Sequence, residues 1–309
     1  MKVIYGIGQV KKKDQHPVLV IGVFDGVHVG HQKLIRQAVR RAKKQHRPCM
    51  VMTFSPHPIH VLRPHAFLPL IVSLPHRLQI LKELGVDAVL VARFSKMFAQ
   101  QTPQQFVKHY LVDRIKPVEV WVGDDFRFGH DRSGGIDFFK EEGKRNGFIV
   151  HAVSSLKTKS NKVGSSLIRA LILDGNLKQA SRYLGRPIAV LGKVVRGDNR
   201  GKKLGFPTAN ICLGNLIIPP IGVYAVYVQI GRKFYKGMCN VGHKPSFSKK
   251  EKVRIEVHIF NFHRQIYGKE ILVQFIQKIR DEQYFPSEEL LIAQLYQDKK
   301  KVLHLLTSF

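Results

Sequence analysis

The 309-residue sequence predicts a two-domain protein, with a doubly wound α/β domain at residues 1–185 and a mainly-β barrel with a terminal helix at residues 186–309. Three observations lead to this prediction. The chain has the length of about two domains at roughly 150 residues each. Short apolar runs alternate with helical periodicity up to residue 185, which is typical of a parallel sheet. After Gly185 the rhythm changes to apolar segments separated by turn signals, which is typical of an antiparallel barrel.

The first domain is predicted to contain five buried strands, because five short apolar runs are bounded by polar or turn residues. They lie at Val18–Phe24, Cys49–Phe54, Ala88–Ala92, Val118–Gly123 and Phe148–Val153. The helices predicted between and after them lie at His31–Gln45, Pro75–Leu84, Thr102–Ile115, Gly135–Asn146, Ser165–Leu173 and Asn176–Leu184. Thr102 suits an N-cap because a proline follows it at the first helical position.

The second domain is predicted to contain five β segments followed by one amphipathic helix. The segments lie at Ile188–Val195, Val223–Ile230, Phe234–Val241, Val253–Asn261 and Ile271–Ile279. Ser287 is the predicted cap of the terminal helix, with two glutamates in the first turn. The residues predicted to form its apolar side are Leu290, Ala293, Leu295 and Val302.

Composition excludes several classes of protein. Hydrophobic residues make up 44% and charged residues 24%, which is ordinary globular usage rather than that of a disordered or fibrous chain. The apolar runs are too short to span a membrane, and residues 1–10 are too short for a secretory signal. Cys49, Cys212 and Cys239 are too widely spaced to indicate a disulfide framework or a zinc site. We therefore expect a cytoplasmic protein without a membrane partner.

The chain is strongly basic, with 51 Lys and Arg against 22 Asp and Glu, a formal net charge of +29. The excess is spread almost evenly along the chain, although in Arg182–Lys250 the one acidic residue is Asp198. Attraction of polyanions or phosphorylated small molecules is one interpretation. The one we favour is a generally basic, solvated surface, because no aromatic-and-basic nucleic-acid module accompanies the charge. A nucleic-acid-binding protein remains the alternative, which filter binding at physiological salt would test.

Residues 22–31, Gly-Val-Phe-Asp-Gly-Val-His-Val-Gly-His, follow directly on a predicted strand and open a helix. The glycines allow the backbone to approach a phosphate, and a helix N-terminus favours an anion. His28 and His31 can converge on one phosphate and stabilise charge that develops on it. Two histidines alone could equally be structural, but together with the strand, the glycines and the helix they predict a nucleotide site. The P-loop pattern is absent, which argues against that class of enzyme.

This pattern resembles the HxGH nucleotidylyltransferase superfamily, which has a Rossmann-like parallel sheet, and more narrowly the bacterial bifunctional riboflavin kinase/FAD synthetase family. Residues 53–58, 122–129 and 165–169 are also similar to that family. The resemblance implies catalytic roles for His28 and His31. It implies ATP contacts at Gly22, Phe24, Asp25, Gly30, Ser165, Ser166 and Arg169, and flavin contacts at Phe54, Pro56, His57, Asp124 and Phe126. Gly164 departs from the family, which usually has a hydroxyl-bearing or similar residue there.

A second motif runs from Gly192 to Asn210 and ends in Gly-Phe-Pro-Thr-Ala-Asn. The hydroxyl of Thr208 and the amide oxygen of Asn210 are hard ligands that suit Mg²⁺, although a plain hairpin turn is the alternative. The segment resembles the riboflavin kinase signature, which implies that Thr208 and Asn210 hold Mg²⁺ and ATP phosphates. The further ATP contacts implied by the resemblance are Gly197, Lys203, Gly205 and Pro207.

Downstream, Glu256 lies in a strand-like alternation. By resemblance it is the catalytic base, whereas a lone glutamate would otherwise be interpreted as a surface ion pair. The resemblance also implies flavin contacts at Arg280 and Glu282. Lys244 and Ser246 replace the family's usual arginine and threonine, and lysine lacks the bidentate phosphate geometry of arginine.

The resemblance covers essentially the whole chain and implies two successive reactions. The barrel would convert riboflavin and ATP to FMN and ADP with Mg²⁺, and the N-terminal domain would convert FMN and ATP to FAD and diphosphate. The implied partners are riboflavin, FMN and ATP, with FMN and FAD as product ligands and no nucleic acid. The oligomeric state stays open. A chain with one live activity is the alternative within this class, because Gly164 and Lys244 depart from the pattern.

Overall fold

A computed structural model describes residues 1–66, 68–156, 162–198, 200–243 and 253–307. The chain forms two compact units, one of Met1–Pro69 with Leu74–Ser165 and the other of Leu70–Ser73 with Ser166–Phe309. The first holds a parallel sheet and the second a closed barrel. The fold class predicted for each part of the sequence is confirmed.

The first unit is built on a six-stranded sheet in which every neighbouring pair is parallel. Its strands are β1 (Lys2–Tyr5), β2 (Val18–Ile21), β3 (Cys49–Ser55), β4 (Ala88–Arg93), β5 (Glu119–Gly123) and β6 (Ile149–Val153). Its helices are α1 (Val29–Lys44), α2 (Pro58–Leu62), α3 (Leu74–Glu83), α4 (Lys96–Ala99), α5 (Pro103–Phe106), continued by a π-helical segment at Val107–Ile115, and α6 (Ile136–Asn146). Three-residue 3-10 turns lie at Ile7–Gln9, Lys12–Asp14 and His130–Arg132.

In the strand order β1-β4-β3-β2-β5-β6, β3 and β4 extend the sheet on one side of β2, and β5 and β6 extend it on the other. In open α/β sheets a ligand crevice forms outside the carboxyl ends of the strands at such a switch point. The sheet core is apolar on both faces, as a covered parallel sheet requires, and Leu19, Met52 and Leu90 are fully buried in it. The five strands predicted for this unit are all present. β1 was missed because four residues carry too little alternation to predict a strand.

The second unit consists of two helices, a barrel and a terminal helix. After α7 (Ser165–Leu173), whose first residue groups with the first unit, and α8 (Leu177–Leu184) come β7 (Ile188–Val195), α9 (Arg200–Lys203), β8 (Ala209–Cys212), β9 (Gly222–Ile230), β10 (Lys233–His243), β11 (Val253–Ile259), β12 (Glu270–Arg280) and α10 (Glu288–Leu305). The barrel closes in the order β10-β11-β8-β7-β12-β9, with antiparallel neighbours throughout. All five predicted β segments are present, and β8 is an additional strand within the second motif.

The terminal helix begins as predicted, with the Ser287 hydroxyl accepting a hydrogen bond from the N–H of Leu290 at 3.4 Å. Its predicted apolar side is partly wrong. Leu295 and Val302 pack on the barrel core, but Leu290 is 54% exposed and Ala293 is also exposed. Asp298 shares the face of Leu295 and Val302 at helical spacing and is buried there in an ion pair. A charged residue therefore occupies part of the inward face.

The three cysteines are free thiols, two of them buried and Cys212 exposed. Burial raises the pKa of the Cys49 thiol to about 12, with Asp87 adding to the shift. That thiol therefore stays protonated at neutral pH.

No helix in the described ranges is both long enough and apolar enough to cross a membrane.

Candidate active sites

The first candidate site lies between the end of β2 and the start of α1, at the switch point of the sheet. The backbone turns sharply there, with positive φ at Phe24 (55°), Gly26 (81°) and Val27 (40°). A positive φ is costly for a β-branched residue such as Val27, and strain of this kind is concentrated at functional sites. His28 then caps α1, because its Nδ1 accepts the N–H of His31 at 3.4 Å.

The two histidine rings are stacked, with their centroids 3.6 Å apart and their planes 21° from parallel. Since the Nδ1 atom of His28 is an acceptor, a neutral His28 carries its proton on Nε2. Phe24 contacts His31 edge-on, with the ring centroids 5.1 Å apart. Both imidazoles are therefore held at the N-terminus of a 16-residue helix, where an anion is stabilised.

Burial lowers the pKa of His31 well below its usual value, and the nearby His28 and Arg77 lower it further. His31 is therefore a neutral imidazole in the ligand-free protein at pH 7. Its Nδ1 atom is buried and has no hydrogen-bond partner among the residues that the structure describes. A bound polyphosphate would raise this pKa, because a nearby negative charge favours the protonated form.

Gly22 is required by the position of the Phe24 ring. A Cβ atom at Gly22 would lie 2.7 Å from Cζ of Phe24, closer than two carbon atoms can approach. A Cβ atom at Gly30 would lie 3.1 Å from Cε1 of His28, which is tight but not prohibitive. Five of the predicted residues therefore lie close together and line the same cavity: Gly22, Phe24, His28, Gly30 and His31.

That cavity has a volume of about 1010 Å³, large enough for a nucleotide with an aromatic co-substrate. Its aromatic lining beyond Phe24 consists of Phe54, Phe94, Phe98, Phe106, Phe126 and Phe128. Phe94 and Phe98, whose ring centroids are 5.1 Å apart, were not singled out in the sequence. The sequence feature that could have indicated them is that both follow closely on the end of a predicted strand.

The other predicted flavin contacts lie outside this lining. His57 caps α2, accepting the N–H of Ile59 at 3.2 Å. The Asp124 carboxylate accepts hydrogen bonds from the backbone N–H and the hydroxyl of Ser155 and lies 3.8 Å from the Lys162 ammonium. Burial alone would raise the pKa of Asp124, but these contacts outweigh burial and lower it. Pro56 follows the cis Ser55–Pro56 peptide bond.

The serine-rich segment opens α7. The Ser165 hydroxyl donates to the carbonyl of Asp25 at 2.8 Å, which joins the helix start to the histidine loop. Asp25 is itself only 2% exposed. Ser166 is exposed, and Arg169 is buried one turn further along the helix. No described atom lies within 4 Å of where a Cβ atom at Gly164 would project, so the described residues do not require glycine there.

A functional candidate that the sequence analysis missed is Arg77 on α3, which is 2% exposed. Its Nη1 atom lies 2.9 Å from the carbonyl oxygen of Val23, 3.1 Å from Oγ1 of Thr53 and 3.3 Å from the carbonyl oxygen of Phe54. In the sequence, Arg77 is a lone arginine within a predicted helix. An arginine in that position is ordinarily predicted to lie on the surface.

The second candidate site lies on the barrel. Glu256 on β11 is directly opposite Asn210 on β8 and directly opposite Asn240 on β10. Directly opposite residues in an antiparallel sheet project from the same face. The Thr208 hydroxyl donates to Oε2 of Glu256 at 3.5 Å. The two predicted Mg²⁺ ligands and the predicted base, which are far apart in the sequence, are therefore brought together.

The loop after β7 passes over Asn210. A Cβ atom at Gly197 would lie 2.1 Å from Nδ2 of Asn210, so only glycine fits there without displacing the amide. Gly205 has a φ of 79°, which also favours glycine. Arg254, missed in the sequence analysis, lies 3.3 Å from the carboxylate of Asp198 and 4.0 Å from that of Glu256.

The remaining residues predicted for the kinase site lie on different elements of the second unit. The carbonyl of Pro207 is hydrogen-bonded to Nδ1 of His258 at 2.8 Å, and Lys203 is exposed on α9. Oε1 of Glu282 accepts a hydrogen bond from the side chain of Asn240 at 3.3 Å. Glu282 therefore lies beside the cross-strand row formed by Asn210, Glu256 and Asn240.

Arg280 is held by the terminal helix, because its Nε atom lies 3.2 and 2.9 Å from the two carboxylate oxygens of Asp298. Its Nη1 atom also donates to the carbonyl of Asp281 at 2.9 Å. Lys244 and Ser246 lie outside the described residues.

Each unit thus holds one candidate enzyme site, at a helix N-terminus in the first unit and on a barrel face in the second. Family models agree with this division: the model described as FAD synthetase matches residues 10–167, and the model described as riboflavin kinase matches residues 184–306.

Relatives named bifunctional riboflavin kinase/FMN adenylyltransferase cover nearly the whole chain. The protein of Escherichia coli (strain K12) is 37% identical over 301 residues, covering 97% of this chain and 96% of its own. That of Buchnera aphidicola subsp. Schizaphis graminum is 36% identical over 301 residues, covering 96% of each. That of Bacillus subtilis (strain 168) is 35% identical over 300 residues, covering 95% and 94%. The chain belongs to the bifunctional riboflavin kinase/FMN adenylyltransferase family, which confirms the resemblance stated above.

A solved structure described as a macrolide-efflux protein from Streptococcus pneumoniae has a TM-score of 0.84 to this chain and 34% sequence identity. The match covers 97% of this chain and 98% of that one. The likeness therefore extends over the complete fold of both units.

Proposed function

We propose that the chain makes both flavin cofactors, phosphorylating riboflavin in the second unit and adenylylating the resulting FMN in the first. The observation that carries this proposal is that two family models match separate parts of the chain, and that each part holds its own site. In the first reaction the ribityl 5′-hydroxyl takes the γ-phosphoryl group of ATP and ADP leaves. In the second the FMN phosphate attacks the α-phosphorus of another ATP, and diphosphate leaves.

In the kinase site, Glu256 is the proposed base. A hydroxyl that attacks a phosphoryl group loses its proton, and a carboxylate within hydrogen-bond reach accepts it. Thr208, at 3.5 Å, and the opposite Asn210 orient the carboxylate by hydrogen bonding or close packing. Arg254 places a positive charge 4.0 Å from the Glu256 carboxylate.

The donor set of this site fits Mg²⁺, which prefers oxygen ligands and retains substrate phosphates as further ligands. Thr208 and Asn210 are the proposed protein ligands, because a hydroxyl and an amide lie beside one carboxylate on the same barrel face. When bound, Mg²⁺ neutralises charge on the ATP phosphates. Gly197 lets the loop after β7 lie against Asn210, and backbone N–H groups of this loop are proposed to contact phosphate.

In the adenylyltransferase site, the α-phosphate of ATP is proposed to lie at the N-terminus of α1, where first-turn N–H groups favour an anion. The Nε2–H group of His28 donates to a phosphate oxygen, and His31 stacks against His28 and stabilises the charge that develops at the phosphorus. Ser165, Ser166 and Arg169 are proposed to contact the phosphates of ATP. Phe54 and Phe126, which line the cavity, are proposed to pack on the flavin ring.

The order of products tests this proposal. With riboflavin, excess ATP and Mg²⁺, FMN should appear first and FAD should follow after a lag, because FMN is the substrate of the second step. Separation of the flavins over time measures both rates in one reaction. Added FMN should be converted to FAD without the lag. If FMN is made but added FMN is never converted, the chain has one live activity, the alternative that Gly164 and Lys244 raise.

The domain boundary after residue 185 is tested by two fragments. α8 contacts β7 and β12, and its residues Leu177, Ala180 and Leu184 are buried. We expect fragment 186–309 to fold and make FMN but no FAD. Fragment 176–309, which keeps α8 and its Asn176 cap, should be more stable by several degrees in Tm, because it retains that buried apolar face.

Thermal unfolding and riboflavin-dependent ADP release measure the two properties of each fragment. A folded 186–309 fragment without ADP release would contradict the proposed boundary if the longer fragment is active. Inactivity of both folded fragments would contradict the proposal that the barrel is a self-contained kinase.

A further inference from the structure

Arg77 links two parts of the first site that are distant in sequence. Its Nη1 atom contacts the carbonyl of Val23, in the loop that leads to the histidines, and the carbonyl of Phe54, at the end of β3. Thr53 completes the junction, because its hydroxyl donates to the same Val23 carbonyl at 2.8 Å and lies 3.1 Å from Nη1. One buried cation therefore joins the histidine loop to a strand end whose Phe54 side chain lines the cavity.

Burying a guanidinium is costly unless it is hydrogen-bonded and its charge is compensated. Burial lowers the pKa of Arg77, and the neighbouring Asp25 opposes that shift. The Nε atom of Arg77 is buried and has no hydrogen-bond partner within the described ranges. A residue retained at this cost, with its hydrogen bonds to the site's own loop, is better explained by positioning than by stability.

The electrostatic environment of His31 comes from three elements. His28 faces it from the start of α1, and Arg77 faces it from α3. Asp25, on the loop after β2, interacts with Arg77 and partly compensates its charge. Both groups that act directly on His31 favour its neutral form.

We infer that Arg77 is a positioning residue for adenylyl transfer, which fixes the histidine loop against the end of β3. This inference rests on the proposed function of the first site and adds a residue to it. Positioning matters there because misplacement of a catalytic group by about 1 Å can cost on the order of 10²-fold in rate.

The experiment compares three variants in the full-length chain. Arg77→Met removes the charge and the donors, and Arg77→Lys keeps a charge and donors of similar reach. Arg36→Met is the matched control, because Arg36 is exposed on α1, the helix that carries His31. Riboflavin phosphorylation by the second unit reports the amount of active chain in every sample, and circular dichroism with thermal unfolding reports whether the first unit is folded.

We expect Arg77→Met to lower FAD formation by about 10²-fold, Arg77→Lys to restore most of it, and Arg36→Met to match the parent. NMR titration of the His31 ring should show a higher pKa in Arg77→Met than in the parent, because a nearby cation has been removed. Amide hydrogen exchange at Val23 and Phe24 should also be faster in Arg77→Met. A role in stability alone would not move the His31 titration in a folded variant.

Parental FAD formation by Arg77→Met would overturn the inference, and so would an unchanged His31 titration. If Arg77→Met does not fold, Arg77→Gln takes its place, since it is neutral but retains a donor, and the same titration decides. Titration and exchange are measured without substrate. A parent that makes no FAD would therefore refute the proposed function, while these two measurements would still decide the role of Arg77 in positioning the loop.

Discussion

Glu256→Gln should lower the rate of FMN formation by about 10²–10⁴-fold and leave the conversion of added FMN to FAD at the parental rate. Glutamine keeps the shape of the side chain and can still hydrogen-bond Thr208, which lies 3.5 Å from the native carboxylate. What it cannot do is accept the proton of the attacking hydroxyl. Steady-state ADP release with riboflavin, and FAD release with FMN, measure the two activities separately.

The matched control is Glu270→Gln, because Glu270 is exposed at the start of β12 on the same barrel. It removes one negative charge from the second unit without touching the site and should leave both activities unchanged. Thr208→Ala and Asn210→Ala should differ from Glu256→Gln, because they remove proposed ligands and weaken Mg²⁺-ATP binding as well as the rate. Parental turnover by Glu256→Gln would show that the base lies elsewhere.

In the barrel, the sequence predicted both the motif that ends in Asn210 and the strand that holds Glu256. It did not predict that the two residues lie close together, because their proximity depends on strand register. β8 pairs with β11 so that Asn210 is directly opposite Glu256. A shift of one residue would have moved one of the two side chains to the other face. Register depends on long-range pairing, which local sequence patterns do not report.

The parallel sheet was predictable because its central strands are apolar on both faces and give continuous hydrophobic runs. The surroundings of its site were less predictable. Arg77 is buried, contrary to the ordinary preference of arginine, because carbonyl and hydroxyl oxygens from two strand ends surround its Nη1 atom. The burial of Asp298 on the terminal helix was not predicted for a similar reason. Its ion-pair partner, Arg280, lies 18 residues earlier in the chain. Buried polar contacts of this kind are set by tertiary structure.

His28→Ala and His31→Ala should each lower FAD formation by about 10²–10³-fold, with riboflavin phosphorylation unchanged. The two rings stack with centroids 3.6 Å apart at the start of α1, so either deletion removes a group that stabilises charge at the α-phosphorus. The kinase residues Thr208, Asn210 and Glu256 lie on the barrel and should function independently. Assays with FMN and with riboflavin as separate substrates measure the two effects in each variant.

His28 has a second role as the cap of α1, and loss of a helix cap costs about 0.5–2 kcal/mol of stability. His28→Asn separates the two roles, because asparagine is a good cap but has no imidazole. It should unfold close to the parental temperature and yet lose FAD formation as His28→Ala does. His109→Ala, which changes an exposed histidine of the first unit, is the control for histidine loss in general. Equal loss of both activities in a folded His31→Ala chain would contradict the proposal of two separate sites.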